Sequence, residues 1–159
     1  MGLDMFLFKV KKGESYKNGK EEIAYWRKAN AVHAWFDNYC ANGAMQDCEM
    51  IPVNKRDLYK LKNDCKIVLD NSNLAFKTIQ VEEYDSDKGK YVKVSKTAKV
   101  IDDPSVASEL IPTQSGFFFG STLYDGDYLE KLRYTIKQIT NVLESVDFDK
   151  YDVYYLASW

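Results

Sequence analysis

Histidine occurs once in this sequence, at His33, and cysteine three times, at Cys40, Cys48 and Cys65. One imidazole with three scattered thiols does not make a zinc knuckle, because no two of them share the two-residue separation such sites use. No metal site is therefore expected. The odd thiol count argues against a closed disulfide framework. Long hydrophobic runs are missing too, and nothing approaches the roughly 20 apolar residues a membrane span needs. The opening "MGLDMFLFKVKKG" has no cationic stretch ahead of its short apolar run, and Phe6 stands where a myristoylation signal needs a hydroxyl. These absences lead to the expectation of a cytoplasmic chain with reduced thiols and no membrane attachment. An excess of one charge is also lacking: 22 basic and 24 acidic residues leave a net charge of −2. No global field draws such a chain to nucleic acid or anionic lipid, so direct nucleic-acid binding is not expected. Finally, there is no G-x-S-x-G, H-E-x-x-H, C-x-x-C, phosphate-loop or G-x-G-x-x-G pattern. That weighs against the common hydrolases and nucleotide triphosphatases. No catalytic residue is assigned, and no cofactor is expected.

What the sequence does hold is aromatic. Twelve tyrosines, eight phenylalanines and three tryptophans make up 14% of 159 residues. Tyrosine suits interfaces, because one end is apolar and the other tolerates water. Stacking surfaces for bases use aromatics as well, and AT-rich coding alone would enrich Tyr and Phe. The length suits one domain, residues 1–159, with a core that needs no staples.

The periodicities predict an α+β fold: a mixed or antiparallel sheet with about three main helices. Residues 3–11 read as a strand, and "EIAYW" as a strand or the beginning of a helix. A helix is expected over 27–40, with Ala29, Val32, Phe36, Tyr39 and Cys40 on one face. After a short strand in "CEMIPV", Asn54 and Asp57 have the spacing of a capping box. Leu58, Leu61, Cys65 and Val68 form the stripe of the helix that follows. Residues 75–84 and 91–101 alternate about a turn, giving a β-hairpin. The polar, self-contained segment 72–102 reads as an insertion. Its many lysines and carboxylates suit either a solvated edge or a partner-binding arm. A short helix follows Pro104, and a long one runs from about 126 to 146, capped by Thr122 or Asp125. The C-terminal "YDVYYLASW" reads as a strand.

Two places could carry chemistry. On the first helix, Asn30, His33 and Asp37 make one stripe, with Trp26 and Arg27 just before it. A carboxylate one turn from the imidazole could orient it as a general base. The alternative is a half-buried histidine bonded to a neighbour. The second place is "IPTQSGFFFGSTLYDGDY", residues 111–128. Thr113, Gln114, Ser115, Gly116, Tyr124 and Asp125 supply donors and flexible backbone ahead of a helix N-terminus, which suits a phosphate or nucleotide. Asp125 and Asp127 oppose an anion there. The other reading makes "GFFFGS" a buried strand turned by its glycines.

Four segments, "GLDMFL", "YWRKANAVHAWF", "LIPTQSGFFFGSTLYDGDY" and "YYLASW", resemble a family of small proteins of unassigned function found in bacteriophages, prophages and bacterial genomes. Residues 72–102 lie outside the resemblance, and Leu156 and Ala157 precede Ser158 where that family usually has two serines before the tryptophan. The resemblance implies a mobile-element setting and supplies positions rather than a reaction: Trp26, Arg27, Asn30, His33, Thr113, Gln114, Ser115, Gly116, Tyr124 and Asp125. Two functions are open. One is a non-enzymatic binding or inhibitor protein in the host cytoplasm. It would act on a host protein, including a component of a defence system such as CRISPR–Cas, or sequester a nucleotide signal. The other is a small enzyme or ligand-binding domain acting on a phosphorylated small molecule. Either way, the design needs segments 27–36 and 113–125 to form one wall.

Overall fold

The structure, a computed structural model, describes residues 2–159. Six strands and four helices follow in the order β1 (Asp4–Lys11), β2 (Glu21–Arg27), α1 (Asn30–Cys40), β3 (Ile51–Val53), α2 (Lys55–Asp70), β4 (Leu74–Asp85), β5 (Lys90–Ile101), α3 (Ser105–Leu110), α4 (Gly126–Ser145) and β6 (Tyr151–Ser158). The fold is α+β, and the sheet is antiparallel throughout, in the order β2-β1-β6-β3. No helix among the described residues is long and apolar enough to cross a membrane.

Alternation in the strands sorts their side chains between two faces. Met5 and Leu7 of β1, Ala24 and Trp26 of β2, and Val153, Tyr155 and Ala157 of β6 point inward and are buried. Register aligns them: Met5 faces Trp26 and Ala157, and Leu7 faces Ala24 and Tyr155. The helices close this face. Leu58, Leu61, Cys65 and Val68 of α2 and Leu132, Ile139 and Val142 of α4 join the same core. Each such side chain contributes about 1.5–3 kcal/mol on burial.

Helix ends follow the local chemistry. Asn54 caps α2 in a full capping box with Asp57. Asp125, not Thr122, caps α4 by accepting from the Tyr128 N–H. The helix expected from residue 27 begins at Asn30 instead. Residues 21–27 are the edge strand β2, and Lys28 takes a left-handed φ of 52° that breaks the chain between strand and helix. Burial on α1 also differs from the expected stripe. Asn30 to Phe36 are all buried, whereas Tyr39 is 50% exposed and stacks on Trp35. The first two turns of α1 are buried all round, so a single apolar face does not describe them.

Strands β4 and β5 form a sheet of their own, paired from Leu74↔Ile101 to Asp85↔Lys90. The Asp85 carboxylate accepts from the Asp87 and Lys88 N–H groups to close the turn. Leu74, Val100 and Ile101 anchor the base of this arm at the core, and Val100 bridges to Asp125.

Candidate functional site

Asn30 brings the two candidate segments together. Its side chain is buried and makes three bonds to the distant loop. Nδ2 donates to the Phe119 carbonyl at 3.2 Å and the Ser121 carbonyl at 2.9 Å. Oδ1 accepts from the Gln114 N–H at 3.0 Å. Segments 27–36 and 113–125 therefore share one wall.

The loop itself is a tight turn, so the buried-strand reading of "GFFFGS" is corrected. The Phe119 N–H donates to the Gly116 carbonyl at 3.2 Å, and Phe118 takes a left-handed φ of 60°. A Cβ at Gly116 would lie 2.6 Å from the Phe119 ring. Gly120, at φ 91°, lies against the Lys28 backbone. This geometry splits the three phenylalanines. Phe119 is buried, edge-on to His33 and Trp159. Phe117 is 78% exposed and Phe118 48% exposed, with ring centroids 4.2 Å apart. A strand would have alternated them, but the turn holds two rings in water and one in the core.

His33 is sealed on the core side. Its Nδ1 lies 2.8 Å from the Tyr155 hydroxyl, and its ring is flanked by Phe119, Tyr155 and Trp159. Burial lowers its pKa below the ordinary 6.5, with Asp37 opposing in part. Burial also pushes the Tyr155 phenol well above its ordinary value. The phenol therefore stays protonated, and it shares one buried hydrogen bond with Nδ1. Asp37 does not orient this ring. Its Oδ1 accepts from the Met45 N–H at 2.9 Å and ties down the segment after α1. The base–carboxylate pair is not assembled, and the geometry is that of the alternative, a histidine bonded to a neighbour.

The other positions take up structural duties. Trp26 is buried and donates from Nε1 to Thr135 Oγ1 at 3.0 Å. Arg27 and the Tyr25 hydroxyl both meet Asp4 Oδ1, at 3.3 and 2.5 Å. The Thr113 N–H donates to the Tyr124 hydroxyl at 3.2 Å, and its Oγ1 donates to the Thr122 carbonyl at 2.9 Å. The Tyr124 carbonyl in turn receives the Ile101 N–H at 2.7 Å. Ser115 and Gly116 are exposed at the loop's shoulder.

A recess does open beside Asn30, lined by Lys28, Thr113, Ser121, Asp125, Asp127 and Lys131 among others. It offers about 20 Å³ to the centre of a water molecule, which is room for one water. Ligand pockets are roughly 300–1,000 Å³. Its charge is balanced as well, with Lys131 Nζ 2.6 Å from the Asp127 carboxylate. Neither size nor field suits a nucleotide. Two wider grooves lie elsewhere. One, of about 430 Å³, runs between β2 and α4 past Tyr25, Arg27, Glu130 and Tyr134. Another, of about 520 Å³, lies beside β3 at Asn54, Phe148 and Tyr154. Tyr134 and Phe148 carried no sequence signal beyond helical or loop position. Among the described residues no three His, Cys, Asp or Glu side chains gather as a metal site.

No family model matches the chain, and neither do any of the curated proteins or solved structures compared with it.

Proposed function

We propose that this chain is a non-enzymatic binding or inhibitor protein, carried by a phage or another mobile element and acting on a protein of the host cytoplasm. The observation that supports this reading is the pair Phe117 and Phe118. Two large rings are held in water by a turn that Asn30, Gly116 and a left-handed Phe118 fix in place. Backbone strain of this kind costs about 1–3 kcal/mol and gathers at functional sites. Rigid aromatics that lose little entropy on docking are the usual anchors of protein interfaces. The small, charge-balanced recess and the sealed His33 weigh against the enzyme and nucleotide readings.

The double substitution Phe117→Ala/Phe118→Ala tests it. Phe117 is mostly and Phe118 about half in solvent, so stability should change by no more than about 1.5 kcal/mol. The wild-type chain should capture a bacterial protein from lysate with saturable affinity, and the variant should lose most of that capture. Equal capture by both chains would remove the turn from the interface. No capture by the wild type would remove the binding function.

A further inference from the structure

We propose that two copies of this chain associate by laying the β4–β5 arm of one across the outer face of the other's sheet. Each surface is only partly covered within a single chain. The arm's strands are 12 residues long, about 40 Å at the usual rise. Register sets Val81 opposite Val94, with Ile79 and Val92 one step to either side on the same face. None of these four aliphatics belongs to the core or packs against it. Only the base of the arm is anchored, and a two-stranded hairpin left alone in water is marginal.

The sheet has a matching deficiency. Its helices all lie on the inner face. The outer face carries Phe6, Phe8, Tyr25, Tyr154 and Leu156, none of them in the core cluster. Their rings pack on one another, Phe6 stacking on Phe8 at 5.6 Å and meeting Tyr25 at 5.2 Å. Tyr16 against Tyr154 and Lys20 over Phe8 are the cover this face receives.

Charge chooses the occupant. Six lysines against four carboxylates give residues 74–101 a charge of +2; the whole chain is −2, so the remainder carries −4. Arm on arm would oppose like charges, and arm on sheet opposes unlike ones. The aromatic face is bordered by Asp4, Glu22 and Asp152, against Arg27, committed to Asp4, and Lys20 over Phe8, which leaves an excess of one negative charge. The body of a second copy thus has both the apolar area and the sign that the arm lacks.

Sedimentation of wild-type protein across concentration should show a dimer that weakens as salt rises. Val81→Lys in the arm and Phe8→Lys on the sheet should each weaken it by at least about tenfold. Mixing the two variants should restore a weaker heterodimer, because one intact arm then meets one intact sheet. A wild-type chain that stays monomeric would overturn the proposal, as would loss of the dimer in only one variant. Circular dichroism establishes that both variants fold. If either does not, disulfide trapping replaces it, in a Cys48→Ser background. Chains carrying Val81→Cys should then crosslink to chains carrying Phe8→Cys. Crosslinks confined to like chains would overturn the arm-on-sheet arrangement.

Discussion

Asn30 holds three backbone groups that lie 84 to 91 residues further along the chain. Asn30→Ala would leave two carbonyls and one N–H without their partner in a poorly hydrated place. A loss of about 2–4 kcal/mol is expected in urea unfolding, with faster proteolysis within residues 113–122. Gly116→Ala should cost about 1–3 kcal/mol, because its methyl would drive into the Phe119 ring. His33 supplies a pH signature. Its folded pKa lies below the ordinary 6.5, so between those two values the unfolded chain binds more protons. Stability is then greatest above pH 6.5 and falls as the pH drops through the folded pKa. Unfolding midpoints measured from neutral to mildly acid pH should decline in the wild type and less steeply in His33→Gln. The thiols also differ. Cys48 is exposed and Cys65 buried, while burial near Asp57 pushes Cys40 up to about 12. One fast-reacting thiol per native chain is expected, and three after denaturation.

At the scale of elements, the α2–α4 pair is the main prop under the sheet. Leu61 is fully buried in it, so Leu61→Ala should cost about 2–5 kcal/mol, read from denaturant midpoints at unchanged slope. Both helices were legible in the sequence, because a three-and-four stripe and an Asn54–Asp57 box are local signals. The hairpin was legible for the same reason. Alternation and a turn rich in Asp, Lys and Gly need no distant information. Two elements were not. The start of α1 depends on a left-handed Lys28, a residue type that does not advertise such a φ. The "GFFFGS" turn depends on Asn30, which only the tertiary fold brings near. The meeting of those segments was expected; the small size of the recess between them was not legible, because volume is set by how α1, the loop and the start of α4 pack together.

At the scale of the whole molecule, apolar surface is distributed between one closed core and several open places. Helices cover the inner face of the sheet, while Phe6, Phe8 and Leu156 face outward and Phe117 and Phe118 stand clear of the body. His33 reads from sequence as a chemical group because it is alone of its kind. Tyr155 makes it a structural one, and nothing local to residue 33 reveals that pairing. The turn at 116–119 has a consequence for how recognition can change. Most of what fixes its shape points inward, through Asn30, Gly116 and Phe119, with a left-handed backbone at Phe118, while the outward Phe117 ring holds nothing up. The codon for Phe117 can therefore be rewritten freely to suit a new target, and that for Phe118 among residues that accept a left-handed φ, while the scaffold that displays them goes on folding as before.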